Sequence, residues 1–440
     1  MTSLLAATIL LGRSAGPASL GDLSLVLATV AILQAVSIGG ISGAALHKMV
    51  VHAGDRTHLV RTIVAARLLL VPATFLIAVL VLVVLLGRGP IFAAALGAAI
   101  CGYGIGAFDV AEIYRNSKSQ YSLIAGRRSL LVALLFPVKC LAAWKGSLEG
   151  VLIVQGVEAA MWQVVLLPRF VEVWSVLIQS LSQLRAGAAE VWELRSLWLS
   201  GITAVLSTRS DIYVIATLVG VAQLGQYTTA SRFVEAASIV AVAVTTVVFN
   251  DLARSANLGS NYAKTSRSAA RQVLGLSTSL TVLLAIAGPF LIELLYGDAF
   301  KEAAQLVPLY AITLIPLFQR QLISKILVVE KRYTLSLFSN VVGLGLNVAL
   351  NLILVPHLEL WGAVLAAILS YTLTILVVFL PTEQGRRILA ISVWSIAMSD
   401  ERLTNICNKA IKARRENDDE SEVDAPKAGR VEAGKHRRGV

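Results

Sequence analysis

Long apolar runs alternate with short polar breaks along almost the whole chain. A helix that crosses a bilayer needs about 20 predominantly apolar residues at about 1.5 Å rise each. Runs near that length fall at residues 22–46, 62–86, 91–113, 129–144 and 150–167, after a shorter apolar run at 1–11. A second series falls at 197–219, 227–249, 273–296, 304–328, 334–355 and 361–380. The breaks alternate in charge. Lys48, Arg56 and Arg61 fill one, Arg115, Lys118, Arg127 and Arg128 another, and Lys331 and Arg332 a third, while the turns between them are short and poor in cations. By the positive-inside rule the basic loops face the cytoplasm, which places both termini there and predicts about twelve helices.

Composition agrees with that pattern. The chain has 440 residues, of which 56% are hydrophobic and only 15% charged, so an ordinary soluble domain is excluded. A net charge of +11 suggests nucleic acid in a soluble protein, but here the cations gather in the loops, and no nucleic-acid partner is expected. Cys101, Cys140 and Cys407 are scattered without metal or disulfide spacing. The first apolar run is followed by further spans and does not read as a cleaved signal. From about Asp400 the chain is charged, mixed in sign and poor in apolar residues, so a disordered, solubilising tail is expected. Its final KHRRGV could also touch anionic lipid.

An internal repeat divides the membrane part. LGDLSLVLATVA from Leu20 aligns with LGQYTTASRFVEA from Leu224, each opening a long helix. Repeated bundles around a midplane site are the architecture of secondary transporters. The predicted fold is an all-α polytopic membrane protein with two pseudo-symmetric six-helix bundles, at 1–168 and 196–381. Residues 169–195 link them, with Trp174, Leu177, Leu181 and Leu184 at the spacing of an interfacial helix, although a solvated linker fits too. A cytoplasmic tail, largely disordered, covers 382–440. The same alignment sets Met1 against Val205, inside the matching helix, so the first helix reads as short by roughly two turns. An upstream start is the expectation, and a half-length helix held by its neighbours is the alternative.

The repeat centres on a hairpin, 206–249, with its turn at 219–227. Arg209 and Asp211 lie within one arm, Arg232 and Glu235 within the other, all at overlapping depths roughly 9–15 Å from the turn. Charge at such depth costs about 2.5–3.5 kcal/mol per residue on insertion scales, so it calls for partners or a water-filled cavity.

The stretch TRSDIYVIATLVGVAQLGQYTTASRFVE resembles the R-x-D … G … x-G-x-Y-x-x-A-x-R-x-x-E segment of Wzx-type polysaccharide exporters. These are oligosaccharide-lipid flippases of the multidrug/oligosaccharidyl-lipid/polysaccharide exporter superfamily. GPFLIELLYGDAFKEAAQLVPLYAI resembles the exit of their ninth helix, and SNVVGLGLNVALNLILVPHLELWGAVLAAILS their N-x-x-L-N-x-x-L-x-P … G-A helix pair. GRSAGPASLG is similar to their first turn, with Ser14-Ala15 in place of the usual apolar pair. The resemblance covers nearly all of the membrane part and implies movement of polyprenyl-diphosphate-linked oligosaccharide repeat units across the cytoplasmic membrane of a bacterium. Implied partners are membrane lipid and the glycosyltransferases and polysaccharide polymerase of the same pathway. A multidrug exporter of the same superfamily is the alternative, and a membrane-bound sugar polymerase or a scaffold ranks below it.

Within that reading Arg209 and Arg232, with Asp211 and Glu235 beside them, form a candidate substrate site, because a guanidinium binds phosphate through a planar fork of donors. The competing reading is mutual neutralisation, with Arg232 and Glu235 three residues apart on one face. Lys139 and Glu158 lie inside predicted spans and are candidates for ion coupling or for one structural pair. Asp109, Glu112 and Arg115, three apart, read as a surface ion-pair ladder. Asn340, Asn347 and Asn351 form a stripe suited to interhelical hydrogen bonds, or to ligand contact. Pro308 and Pro316 suit a static kink or a gating bend. GYGIG at 102–106 suits close helix packing. No P-loop, HExxH or nucleophile elbow is present, so no catalytic residue, metal or cofactor is expected, and movement would be ion-coupled or gradient-driven.

Overall fold

A computed structural model describes residues 2–38, 41–51, 56–86, 90–106, 108–166, 178–258, 262–329 and 332–392, and helix is the only extended regular structure among them. In the first half these are α1 (Thr2–Ile38), α2 (Ile41–Val51), α3 (Arg56–Leu86), α4 (Pro90–Gly106), α5 (Val110–Ser117), α6 (Tyr121–Trp144) and α7 (Leu148–Leu166). Then follow α8 (Leu184–Glu193), α9 (Arg195–Leu218), α10 (Val221–Leu258), α11 (Tyr262–Tyr296), α12 (Lys301–Ala311), α13 (Leu314–Val329), α14 (Tyr333–Phe379) and α15 (Glu383–Ser392). Among the described residues five helices are long and apolar enough to cross a membrane, or six if α12 and α13 make one broken span. The protein is an all-helical, multi-span membrane protein.

Two of the long helices are really hairpins. α1 breaks at Gly16, whose φ of 78° lies in the left-handed region, and Pro17 opens the second arm, where its missing N–H costs nothing. α14 breaks at Glu359, φ 48°, three residues after Pro356. That break falls between the two predicted spans, 334–355 and 361–380.

The chain separates into two compact units. One contains Met1–Ser238, Thr278–Leu317 and Thr334–Leu376. Its core gathers Leu11, Leu20, Leu23, Ile215, Leu224, Tyr227, Phe300 and Val355, all buried. The other contains Ile239–Ser277, Phe318–Tyr333 and Val377–Val440, with Phe318, Leu322, Phe379, Ile388 and Ile391 buried. The stretch assigned to the tail therefore opens with the helix α15, while the charged remainder, 393–440, lies outside the described residues.

The repeat is visible inside the first unit. Ser24 Oγ donates to Thr228 Oγ1 at 3.0 Å, and these two residues are 204 apart in the chain. The same spacing relates Gly16 to Gly220, both at positive φ, and Leu20 to Leu224, both fully buried. α9 and α10 are thus the counterparts of the two arms of α1. Elsewhere α4 and α7 meet backbone to backbone: a Cβ at Gly102 would stand 2.0 Å from the Gly156 carbonyl, and one at Gly156 would stand 2.5 Å from that of Ala98. The small residues of GYGIG do serve close packing.

The helix α8 docks on α3. Gly187 of α8 lies against the backbone of Ala65 and Ala66 on α3. Lys48 reaches Glu190 at 2.9 Å and Glu193 at 3.1 Å. Trp174 and Leu177 of the predicted interfacial stripe lie outside the described residues, while Leu181 is exposed.

Candidate functional site

The hairpin of α9 and α10 turns at Gly220, whose φ of 109° ends α9, with the Gly220 N–H donating to the Ile215 carbonyl at 3.0 Å. This geometry brings the four hairpin charges into one region and decides how they pair. Arg209 Nη1 meets Glu235 Oε1 at 2.8 Å across the hairpin, with both side chains part-exposed. Asp211 accepts the Ile212 N–H at 2.9 Å and the hydroxyl of Tyr227. Tyr227 in turn lies 3.2 Å, oxygen to oxygen, from Tyr310 on α12, with the rings 5.5 Å apart. Arg232 is left. Among the described residues it makes no ion pair, and its hydrogen bond to Ser24 Oγ is a long one, 3.4 Å. Arg209 and Glu235 lie within electrostatic reach of it.

The Arg232–Glu235 pairing on one helix face that the neutralisation alternative favoured does not form; the neutralising pair is Arg209 with Glu235. An i,i+3 pair on a surface is worth only tenths of a kcal/mol, and the facing arm offers Glu235 a better-placed guanidinium. The 204-residue spacing sets Leu5, Ala7, Ala28 and Ala31 against Arg209, Asp211, Arg232 and Glu235. The scaffold repeats, and these charges do not.

A second polar cluster lies in the first half. Lys139 of α6, fully buried, donates to Gln155 Oε1 at 2.7 Å and pairs with Glu158, both on α7. Gln155 Nε2 donates to the hydroxyl of Tyr103 on α4 at 3.0 Å. Tyr103 also lines a small cavity with Gln34, Ser37 and Thr74.

The predicted ladder of Asp109, Glu112 and Arg115 is absent. Asp109 pairs with the fully buried Arg67 at 3.1 Å, Glu112 accepts the Trp162 indole N–H at 2.9 Å, and Arg115 donates to the Leu166 carbonyl at 2.7 Å. Each finds a partner on another helix, where burial makes the bond worth more than a solvated neighbour would.

Along α14, Asn340 donates to Ser200 at 3.1 Å, Asn347 accepts from Ser210 at 2.9 Å, and Asn351 donates to the Asn347 carbonyl at 2.8 Å. Pro308 lies inside α12 and Pro316 in the first turn of α13, with the break at Ile312–Thr313 between them. The Ala311 carbonyl at that break accepts the Thr281 hydroxyl at 3.1 Å. Among the described residues no cluster of His, Cys, Asp or Glu could hold a metal ion.

Residues 175–407, more than half of the chain, match the model of the family described as lipid II flippase MurJ. The chain belongs to the MurJ family. It is accordingly a membrane transporter of the MOP superfamily and not an enzyme. Its fold is similar to that of a lipid II flippase MurJ solved in an inward closed conformation, with TM-score 0.67 and 12% identity, covering 96% of this chain and 98% of that one. It is also similar to an inward-facing multidrug resistance MATE transporter of the MOP superfamily, with TM-score 0.62 and 14% identity over 89% of this chain and 95% of that one. The outward-facing form of a MATE transporter fits less well, at TM-score 0.52 and 14% identity, covering 89% and 92%. No curated protein matches the chain.

Sequence reasoning missed several residues that shape the site in this MurJ-family chain. Tyr227 stood in the hairpin motif without a role, yet it holds Asp211. Ser24 sits in the repeat and contacts Arg232, so the repeat alignment was the signal that could have found it. Tyr310 lies on another helix, and nothing in the local sequence of either segment points to its contact with Tyr227.

Proposed function

We propose that this MurJ-family transporter flips a polyprenyl-diphosphate-linked saccharide from the inner to the outer leaflet of the bacterial cytoplasmic membrane. In this reading about twelve helices in two six-helix bundles enclose the path. The observation that carries it is Arg232. Three of the four hairpin charges are engaged, Arg209 with Glu235 and Asp211 with Tyr227, while this guanidinium forms no ion pair among the described residues. An unpaired intramembrane cation suits the diphosphate that every such substrate carries, because the planar fork can grip two phosphate oxygens at once. Arg209 and Glu235, both part-exposed, are available to the sugar portion.

Two cargoes share this chemistry. The family match favours lipid II, the substrate its description names. The Wzx-like helix pair at 339–370 favours an oligosaccharide repeat unit. Proteoliposomes offered each lipid separately distinguish the two.

The test of the site is Arg232→Ala. The protein should reach the membrane at normal abundance while flipping stops. Arg232→Lys should restore only part of the rate, since an ammonium keeps the charge but loses the fork. If Arg232→Ala is degraded, and Arg232→Met, which keeps most of the volume without the charge, recovers both abundance and flipping, the arginine is structural and the assignment fails.

A further inference from the structure

The break between α5 and α6 meets the end of α7 at one corner, on the side where the basic breaks face the cytoplasm. Arg115, Lys118, Arg127 and Arg128 gather there. Arg115 spends Nε on the Leu166 carbonyl at 2.7 Å and Nη1 on Gln120 Oε1 at 3.1 Å. Arg127 gives Nη1 to the Val165 carbonyl at 2.6 Å. Arg128 lies over the Trp162 ring, 4.8 Å from its centroid, and Lys118 over the Tyr114 ring at 4.3 Å. Among the described residues none of these cations forms an ion pair. Glu112, the carboxylate on α5, accepts the Trp162 indole N–H instead. Arg115 and Arg127 lie within electrostatic reach of each other, and like charges held together favour an anion between them.

Apolar surface leads away from this corner. Leu130, Leu134, Val138 and Leu141 are exposed along α6, and Arg127 heads that stripe at the same helical spacing. Ile153, Val157, Met161 and Val164 are exposed along α7, and their stripe runs up to the Val165 carbonyl that Arg127 holds. In a multi-span protein such stripes face acyl chains. We propose that the corner is a binding site for one anionic phospholipid of the inner leaflet. Its phosphate is held by Arg115, Lys118, Arg127 and Arg128, and its two chains lie along the stripes of α6 and α7. A loop cation ordinarily swings free in water. These are fixed by carbonyls and ring faces, so little side-chain entropy is lost when a phosphate arrives. A guanidinium carries five N–H donors, so Arg115 and Arg127 hold α7 and still have donors for phosphate oxygens. A free phosphate would use the cations alone, whereas a lipid uses the cations and the stripes together. The bound lipid ties α5, α6 and α7 to one another. The site shares no residue with the hairpin charges proposed to hold the cargo.

Thermal unfolding of the full chain in neutral detergent tests the site without any cargo. Phosphatidylglycerol should raise the melting temperature by several degrees, phosphatidylcholine by much less, and glycerol 3-phosphate, which has no chains, not at all. Lys118→Gln with Arg128→Gln removes two exposed cations that cap no helix, and it should abolish most of the difference between the two lipids. Arg128→Gln alone, should the pair not accumulate, is expected to halve that difference. Native mass spectrometry should show phosphatidylglycerol retained by the parent and by Arg232→Ala, and lost from the double variant. Equal shifts with the two lipids in the parent would overturn the site, as would an undiminished difference in both corner variants. A response to glycerol 3-phosphate as large as that to the lipid would remove the lipid as occupant. Loss of phosphatidylglycerol from Arg232→Ala, with retention in the double variant, would place the lipid at the hairpin charges and refute the corner.

Discussion

Glu158→Gln is the sharpest perturbation of the first-half cluster. The Lys139 side chain is fully buried, while that of Glu158 retains 19% exposure, so the two partners carry unequal risk. Removing the carboxylate leaves a dry ammonium with Gln155 and a neutral amide as its acceptors. Breaking a buried pair from one side costs about 3–5 kcal/mol, and the acceptor that Gln retains sets this case near about 3. Lys139→Met should cost less, because the stranded carboxylate can still reach water. Lys139→Met with Glu158→Gln removes both charges at nearly constant volume and should return within about 1 kcal/mol of the parent, since isosteric replacement of a buried pair is often neutral. Thermal unfolding in detergent, followed by fluorescence-detected gel filtration, should rank the double variant above Lys139→Met and Lys139→Met above Glu158→Gln. Equal melting of Glu158→Gln and the parent would refute the buried-pair argument. The double variant also addresses ion coupling. If it flips substrate with unchanged dependence on the proton gradient, the pair is structural and carries no coupling proton.

Other consequences follow from the same contacts. Tyr227→Phe removes the hydroxyl that Asp211 accepts and should destabilise by about 1–3 kcal/mol, read as a lower melting temperature. Tyr227→Phe with Asp211→Asn should recover part of that loss. Asp109→Ala strands the buried Arg67 guanidinium and should cost about 3–5 kcal/mol, whereas Glu112→Ala, which loses one indole bond, should cost no more than about 1.5. Gly156→Leu drives a side chain into the α4 backbone, where even a Cβ would stand 2.5 Å from the Ala98 carbonyl. Membrane abundance should fall sharply, while Gly97→Leu, with open space around its Cβ position, should be tolerated.

Much of this protein was legible in one dimension. Hydropathy depends on local composition, and it placed the last two spans on either side of the break now seen at Glu359. The repeat read from Leu20 and Leu224 reappears as the 204-residue spacing between hydrogen-bonded Ser24 and Thr228. Small residues in GYGIG signalled close packing, because size acts the same way whatever the partner. Partner choice was another matter. Spacing suggested that Arg232 would meet Glu235 and that Asp109 would meet its neighbours on the same helix. Instead Glu235 pairs with Arg209 across a hairpin, and Asp109 with Arg67, 42 residues away. Which cation reaches which carboxylate depends on how each helix is rotated and where it crosses the next. Those angles are set by packing over the whole unit, and periodicity along one helix carries no trace of them. That Arg232 remains unpaired is for the same reason a property of the tertiary structure alone.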